Sequence, residues 1–322
     1  MDVRRVVVVG YEQAELLDIA CVTSTLQTAN LMGTRVPYEV VLATPGGHPI
    51  TSSSGLVLQG QAVLERTVGP LDTVLVSGGF GSERAAADTH VVAHVRRLAR
   101  ESHRVASVCT GAAILAAAGL LDGKRATTHW FAAQRLAARY PRVEVDPTPI
   151  YVRDGKVSTS AGVTTALDLT LAFVEDDHGA DVARSVARAL VTYLQRPGNQ
   201  AQMSVYVAGP PPEHVLVRQV ADYVTATLAG DLRTSVLAER AGVSERHLTR
   251  LCVEHLGRTP GRFVREARVE AAARLLVSSR LPLAGVAKRC GFGSVETLRQ
   301  AFTARFGVAP SRYRSTQLRR SG

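Results

Sequence analysis

Long apolar runs are missing from this chain. The longest uninterrupted one near its start is Val6 to Val9, too short for the core of a secretory leader and far too short to span a bilayer. No membrane partner is expected, and nothing marks the chain for export. Cysteine is scarce as well. The four present, at positions 21, 109, 252 and 290 of 322, form no CxxC pair and have no histidine at ligand spacing, so neither a disulfide framework nor a zinc site is indicated. A reducing cytoplasm fits them. His90, His94 and His103 read as surface residues of one helix, without a Cys or carboxylate partner at metal-ligand spacing. No metal and no cofactor are expected. Net charge is absent from the first two thirds. Of 38 Lys+Arg and 28 Asp+Glu in the whole chain, 19 and 8 lie from His214 onward, which leaves 19 against 20 before it.

What is present is therefore a strongly basic last third. A basic face can be a solvated, solubilising surface. It can also be built for a polyanion, because phosphates attract arginine clusters and nucleic-acid affinity begins with that attraction. Between the two parts lies RPGNQAQMSVYVAGPPPEH, residues 196 to 214, whose Pro210, Pro211 and Pro212 cannot continue a helix or a central strand. At 322 residues more than one core is expected, and the boundary is placed here.

Before the boundary, strand-like runs (5 to 9, 38 to 43, 72 to 77, 104 to 108) alternate with helical patterns (12 to 31, 89 to 101, 111 to 118, 131 to 139). Such alternation predicts a parallel sheet covered by helices on both faces. Ser52 to Ser54 with Gly55 reads as a turn. After the boundary no strand pattern is found, only helix-period segments separated by Gly, Ser and Pro.

The last third repeats itself. GVSERHLTRLCVEHLGRTPGRF (242 to 263) and GFGSVETLRQAFTARFGVAPSRY (291 to 313) match with an offset of 50 from Ser244/Ser294 through Leu248/Leu298, Gly257/Gly307 and Pro260/Pro310 to Arg262/Arg312. Upstream, LAERAG (237 to 242) matches VAKRCG (286 to 291), a short helix ending in a glycine suited to a tight turn. Ser244 and Ser294 then stand at N-cap positions. Helix, turn, capped helix is the pattern whose second helix enters the DNA major groove. Helical phase turns Leu248, Leu251 and Cys252, and Leu298, Ala301 and Phe302, towards a core. Outward go Glu245, Arg246, Thr249 and Arg250 in the first copy and Val295, Glu296, Arg299 and Gln300 in the second. Arg246, Arg250 and Arg299 suit guanine and Gln300 suits adenine. Glu245 and Glu296 can accept from cytosine or serve as capping carboxylates. Arg262, Arg268 and Arg312 can hold phosphates or cover apolar surface with their stems.

On these residues, 214 to 322 resemble the DNA-binding module of AraC/XylS-type transcriptional regulators, with VAKRCGFGSVETLRQAFTARFGVAPSRYR following the family signature almost throughout. The earlier part carries a second resemblance. Residues 104 to 123, RVASVCTGAAILAAAGLLDG, run apolar into Cys109, turn at Thr110 and Gly111, and leave as an alanine-rich helix. With VSGGFG (76 to 81), ATTHW (126 to 130) and SAGVTTALDLTLAFVE (160 to 175), that step resembles the nucleophile elbow of the ThiJ/PfpI, amidotransferase-like superfamily. The two together are the architecture of GlxA-like regulators. They imply an α/β flavodoxin-like parallel-sheet domain over 1 to 195 that senses a ligand or redox signal and dimerises. A linker over 196 to 213 and an all-α double helix-turn-helix domain over 214 to 322 follow. The partners implied are double-stranded DNA, a small-molecule effector, RNA polymerase and a second copy of the chain.

For the elbow the resemblance assigns the imidazole position to His129 and the acidic position to Asp18, one methylene shorter than the glutamate of the enzymatic branch. Backbone amides at Gly78 and Gly79 are candidates for an oxyanion hole. A cysteine at a helix N-terminus is expected to have a lowered pKa and an oxidation-prone thiolate. Trp130 occupies space beside His129 that a substrate would need. Two uses stay open: a sensing site kept from an enzyme, or a cysteine-dependent hydrolase or lyase with an appended DNA-binding domain. Asp168 is assigned a structural hydrogen bond beneath the site, with a ligand contact as the alternative.

Overall fold

The computed structural model describes residues 3–192, 196, 198, 200, 202, 214–279 and 281–318. They fall into two compact units, residues 1–202 and 203–322.

The first unit is built on a seven-stranded sheet in the order 151–154, 157–160, 102–108, 71–76, 4–9, 38–44, 62–63. All neighbours run parallel except the hairpin Tyr151–Asp154/Val157–Ser160 at one edge. Val6 to Val9 are each at most 1% exposed although consecutive residues point to opposite faces, so both faces are covered. The covering helices form two groups, Leu16–Leu31 with Thr164–His178 and Ala180–Ala189, and Ser82–Ala87 with Thr89–Arg100 and Ala112–Ala117.

At the N-terminal ends of the strands sits a half-buried charge cluster. Arg4 pairs with Asp72, Arg104 donates to Asp177 at 2.8 Å, and the Tyr38 hydroxyl donates to the same carboxylate at 2.7 Å. These pairs hold the Asp177 carboxyl below its usual range despite its burial. They lie at the end of the sheet opposite the elbow.

Three expectations shift. The helix anticipated from Glu12 starts at Leu16, because Gln13 takes a left-handed φ of 61° and Glu15 caps the helix by accepting from the Leu17 amide. His103 lies on the strand Ser102–Val108, not on the helix that carries His90 and His94. The opening of the expected linker is bound to the α/β unit: the Ile150 and Tyr151 amides donate to the carbonyls of Gln200 and Gly198, and the Gln202 amide donates to that of Thr148. Arg196 closes this strap on Asp168, its backbone N–H at 2.6 Å and its guanidinium at 2.7 and 3.0 Å. The triple proline lies outside the described residues.

The second unit is entirely helical where described. Helices Thr234–Arg240 and Glu245–Leu256 form the first copy of the repeat, and Leu283–Arg289 and Val295–Phe306 the second. Each copy has its own core, around Leu237, Leu248 and Phe263 in one and Val286, Leu298 and Phe302 in the other. The long helix Pro260–Ser278 joins them. Ala301 is half-buried; the other anticipated core positions are buried.

Asp168, with 3% of its side chain exposed, is ion-paired to Arg196 and, among the described residues, to no other cation. Arg196→Ala, which keeps the backbone N–H but removes the guanidinium, should therefore destabilise the α/β unit by about 2–4 kcal/mol, since a buried carboxylate left without its countercharge costs more than the lost pair contributes. Urea denaturation followed by the fluorescence of Trp130 measures it; a change below about 0.5 kcal/mol would show the strap to be energetically idle.

Candidate functional site

The elbow is formed where the strand Ser102–Val108 ends and Cys109 adopts φ 53°, a left-handed conformation that a residue with a Cβ holds only under constraint. Two glycines supply the room. A Cβ on Gly78 would lie 2.4 Å from the Cys109 Cβ, and one on Gly162 2.1 Å from it. Asp18, fully buried, ties the same loops together: one carboxylate oxygen accepts from the Gly78 amide at 3.0 Å, the other from the Val163 amide at 2.6 Å. Its pKa is pushed up to about 7, chiefly by burial, against the pull of those two amides.

This geometry corrects the thiolate expectation. Cys109 is only 6% exposed, and burial together with the neighbouring Asp18 pushes its thiol up to about 12, outweighing the Thr110 amide and hydroxyl that favour the anion. The helix that follows, Ala112–Ala117, is a short one with little dipole to oppose desolvation. The oxyanion-hole amides are also engaged. That of Gly78 is taken by Asp18, and that of Gly79 donates to the Thr110 hydroxyl, which returns a hydrogen bond to the Gly79 carbonyl.

His129 stands at the N-cap of helix Trp130–Arg139, stacked near Trp130 and Phe131, its pKa lowered by burial alone. Among the described residues no hydrogen bond joins it to Cys109, and its Nδ1 is buried without a partner. The link between the ATTHW segment and the elbow is instead Thr128, whose hydroxyl donates to the Cys109 carbonyl at 2.8 Å. Behind it, the Gln202 side chain donates to the Thr128 carbonyl at 2.8 Å and to the Thr127 hydroxyl at 3.1 Å. Thr110, Thr128, Gly162 and Gln202 were missed as site residues. The CTG and SAG motifs held two of them in plain view; Gln202 gave no signal.

In the helical unit Ser244 and Ser294 cap their helices, accepting from the amides of His247 and Thr297. The outer faces carry Arg246 and Arg250 on one and Glu296, Arg299 and Gln300 on the other, all exposed; Thr249 is half-buried. Capping is done by the serines, and Glu296 lies on the outer face beside its neighbours there, 3.7 Å from Arg299 and accepting from Gln300 at 3.4 Å. Arg262, read as a phosphate holder or apolar cover, pairs with Glu266 at 2.8 Å, while Arg312 lies exposed on the helix Pro310–Leu318. Arg268 is turned inward onto backbone carbonyls. The copies differ by one residue in their turns, which is why Gly242 and Gly291 are 49 apart while Ser244 and Ser294 are 50 apart.

A flavodoxin-like sheet with a cysteine elbow, joined to two capped recognition helices, defines the class: a DNA-binding transcriptional regulator with an amidotransferase-like domain. The DJ-1/PfpI family model matches residues 4–176 and a helix-turn-helix domain model matches 237–316. The chain belongs to the DJ-1/PfpI family. It is 34% identical over 95% of its length to the HTH-type transcriptional regulator GlxA of Rhizobium meliloti (strain 1021), 93% of which is covered. It is 36% identical to the isonitrile hydratase of Pseudomonas putida over 47% of this chain and 68% of that enzyme. A ThiJ/PfpI family protein from Pseudomonas syringae shares the fold, with a TM-score of 0.56 at 24% identity over 70% of this chain and 87% of that one.

The raised thiol predicts that the folded protein alkylates slowly at Cys109. With a pKa of about 12 the thiolate fraction at pH 8 is about 10⁻⁴, and the rate should climb about tenfold per pH unit to pH 10 and beyond, where an ordinary cysteine has levelled off near pH 9. Iodoacetamide labelling read by peptide mass gives the profile; a plateau near pH 7 would show a reactive thiolate after all.

Proposed function

We propose that residues 214–322 read one stretch of operator through two recognition helices, with Arg246, Thr249 and Arg250 on the first and Glu296, Arg299 and Gln300 on the second facing base edges and Arg312 at the backbone. The reading is carried by one observation: two serine-capped helices of the same design each leave an arginine-bearing face exposed in the part of the chain that holds its whole positive surplus. Successive major-groove faces lie roughly 34 Å apart, so both helices belong on one side of the duplex.

The α/β unit, residues 1–195, serves in this reading as sensor and dimerisation domain, working in the cytoplasm; two modules on one operator raise affinity through effective concentration. RNA polymerase is the partner through which binding becomes regulation. The elbow receives a small-molecule signal and does not turn over a substrate. A thiol held protonated and hole amides already bonded to Asp18 and Thr110 support that, and they argue against an oxidant as the signal. A route outward is present in Thr128 and Gln202, which connect the Cys109 carbonyl to the strap whose continuation is the linker.

Enzymatic use of the elbow is the second reading, favoured by the isonitrile hydratase likeness alone. Turnover at about 1 per second or faster, abolished by Cys109→Ser with transcription unchanged, would establish it.

Arg250→Ala or Arg299→Ala should each weaken operator binding by about 1–3 kcal/mol and relax preference at one base pair. The duplex is recovered from a genomic pull-down with the full chain, then titrated by gel shift with each base pair varied. Equal weakening on every sequence would make the arginines phosphate contacts, and failure of the parent protein to bind at low salt would end the proposal.

A further inference from the structure

The helix Pro260–Ser278 belongs to both copies of the repeat. Its Phe263, Val264 and Ala267 pack into the first core, and its Val269, Ala272 and Leu276 into the second. Arg268 stands between the last residue of one set and the first of the other. Such a shared helix fixes how far apart two bodies sit along it, but their relative rotation must be set by contacts away from its axis.

Arg268 makes such contacts. Its Nε donates to the Leu228 carbonyl at 2.9 Å and a terminal nitrogen donates to the Gly230 carbonyl at 2.8 Å. Both carbonyls lie in the loop that leads from helix Val215–Ala226 into the first copy, and the Leu228 side chain packs against both cores. The turn of the second copy closes on the same point. Gly291 has φ 73°, and a Cβ there would lie 2.2 Å from the Leu228 carbonyl oxygen and 2.8 Å from two Arg268 nitrogens. The loop before one copy, the turn inside the other and the shared helix thus meet at a single guanidinium. By contrast, the ion pair of Glu266 with Arg258 at 2.7 Å lies within the first half and that of Glu270 with Arg305 at 3.2 Å within the second. Arg268 is charged at every working pH, and its planar fork suits two carbonyls held at a fixed angle.

We propose that Arg268 is the positioning residue that sets the rotation of one recognition helix relative to the other, and with it the half-site spacing the module accepts. The inference rests on the reading of residues 214–322 as a DNA-binding module. It touches no base and no phosphate; it acts through the two helices that do.

The test uses the full chain and the duplex selected by the parent protein, together with duplexes in which one base pair is inserted or deleted between the half-sites, and one in which the half-site of the second helix is scrambled. The parent protein should lose about tenfold or more in affinity on either change of spacing. Arg268→Ala should bind the native spacing about tenfold more weakly, differ by less than about threefold across the three spacings, and match the parent on the scrambled duplex. Arg268→Lys, able to reach one carbonyl, should fall between. Gly291→Ala, which crowds the same junction from the other side, should flatten the spacing profile as Arg268→Ala does, so that loss of fold in one variant leaves the other to decide. Thermal melts followed by circular dichroism confirm that each variant is folded. A folded variant with the parent's spacing profile would overturn the inference, as would a parent protein indifferent to spacing. If the parent binds no duplex at all, the underlying DNA-binding reading falls first and the inference with it.

Discussion

The α/β unit turns on one buried carboxylate. Asp18, on the helix Leu16–Leu31, gives its two oxygens to the amides of Gly78 and Val163, so that helix and two loops far apart in the chain converge on Cys109. That bracket, with the Thr128 hydroxyl on the Cys109 carbonyl, holds a backbone that is costly to hold, since Cys109 bears a Cβ and Val163, at φ 52°, is β-branched. The bracket also sets the chemistry. It places a carboxylate beside the thiol, takes up one of the two candidate oxyanion-hole amides, and, with burial in a tight cradle, pushes the thiol pKa up.

The helical unit solves a similar problem with the opposite polarity. There a half-buried cation, Arg268, gathers two backbone carbonyls, as Asp18 gathers two amide hydrogens. In both units a single charged side chain joins segments that apolar packing brings near without aligning. Packing is nondirectional, whereas hydrogen bonds to a fixed fork or a carboxylate are not.

Much of this was legible in the chain itself. The central strand Arg4–Val9 is buried on both faces and so reads as an unbroken valine run, its parallel neighbours read as largely apolar ones, and the serine caps and the repeat marked the recognition helices. The strand Val157–Ser160, second from the sheet edge, was harder to see because VSTS is polar, yet all four residues are buried; the Ser160 hydroxyl, for one, meets that of Thr165 at 2.7 Å. The early start given to the first long helix failed for a tertiary reason: Ala14 bridges to Gly79, which turns Gln13 out of helical backbone. At the elbow the residue identities were readable and the charge state was not. Burial of Cys109 depends on Gly78 and Gly162, which local sequence does not place together. The strap was hidden for the same reason, since Pro197 and Gly198 read as linker while the partner of Arg196 lies 28 residues back at Asp168.

The additional residue in the second turn has a consequence for symmetry. Two identical copies would present interchangeable faces, and a duplex could be read equally well in either direction. Here Phe292 is buried and Gly293 exposed where the first copy has Val243 alone, and the outward residues differ, Arg246 and Arg250 on one helix against Arg299 and Gln300 on the other. A module of this kind has a head and a tail. Any DNA it reads is thereby given an arrow, so that inverting the site relative to a neighbouring start of transcription is a different instruction, not the same one reversed.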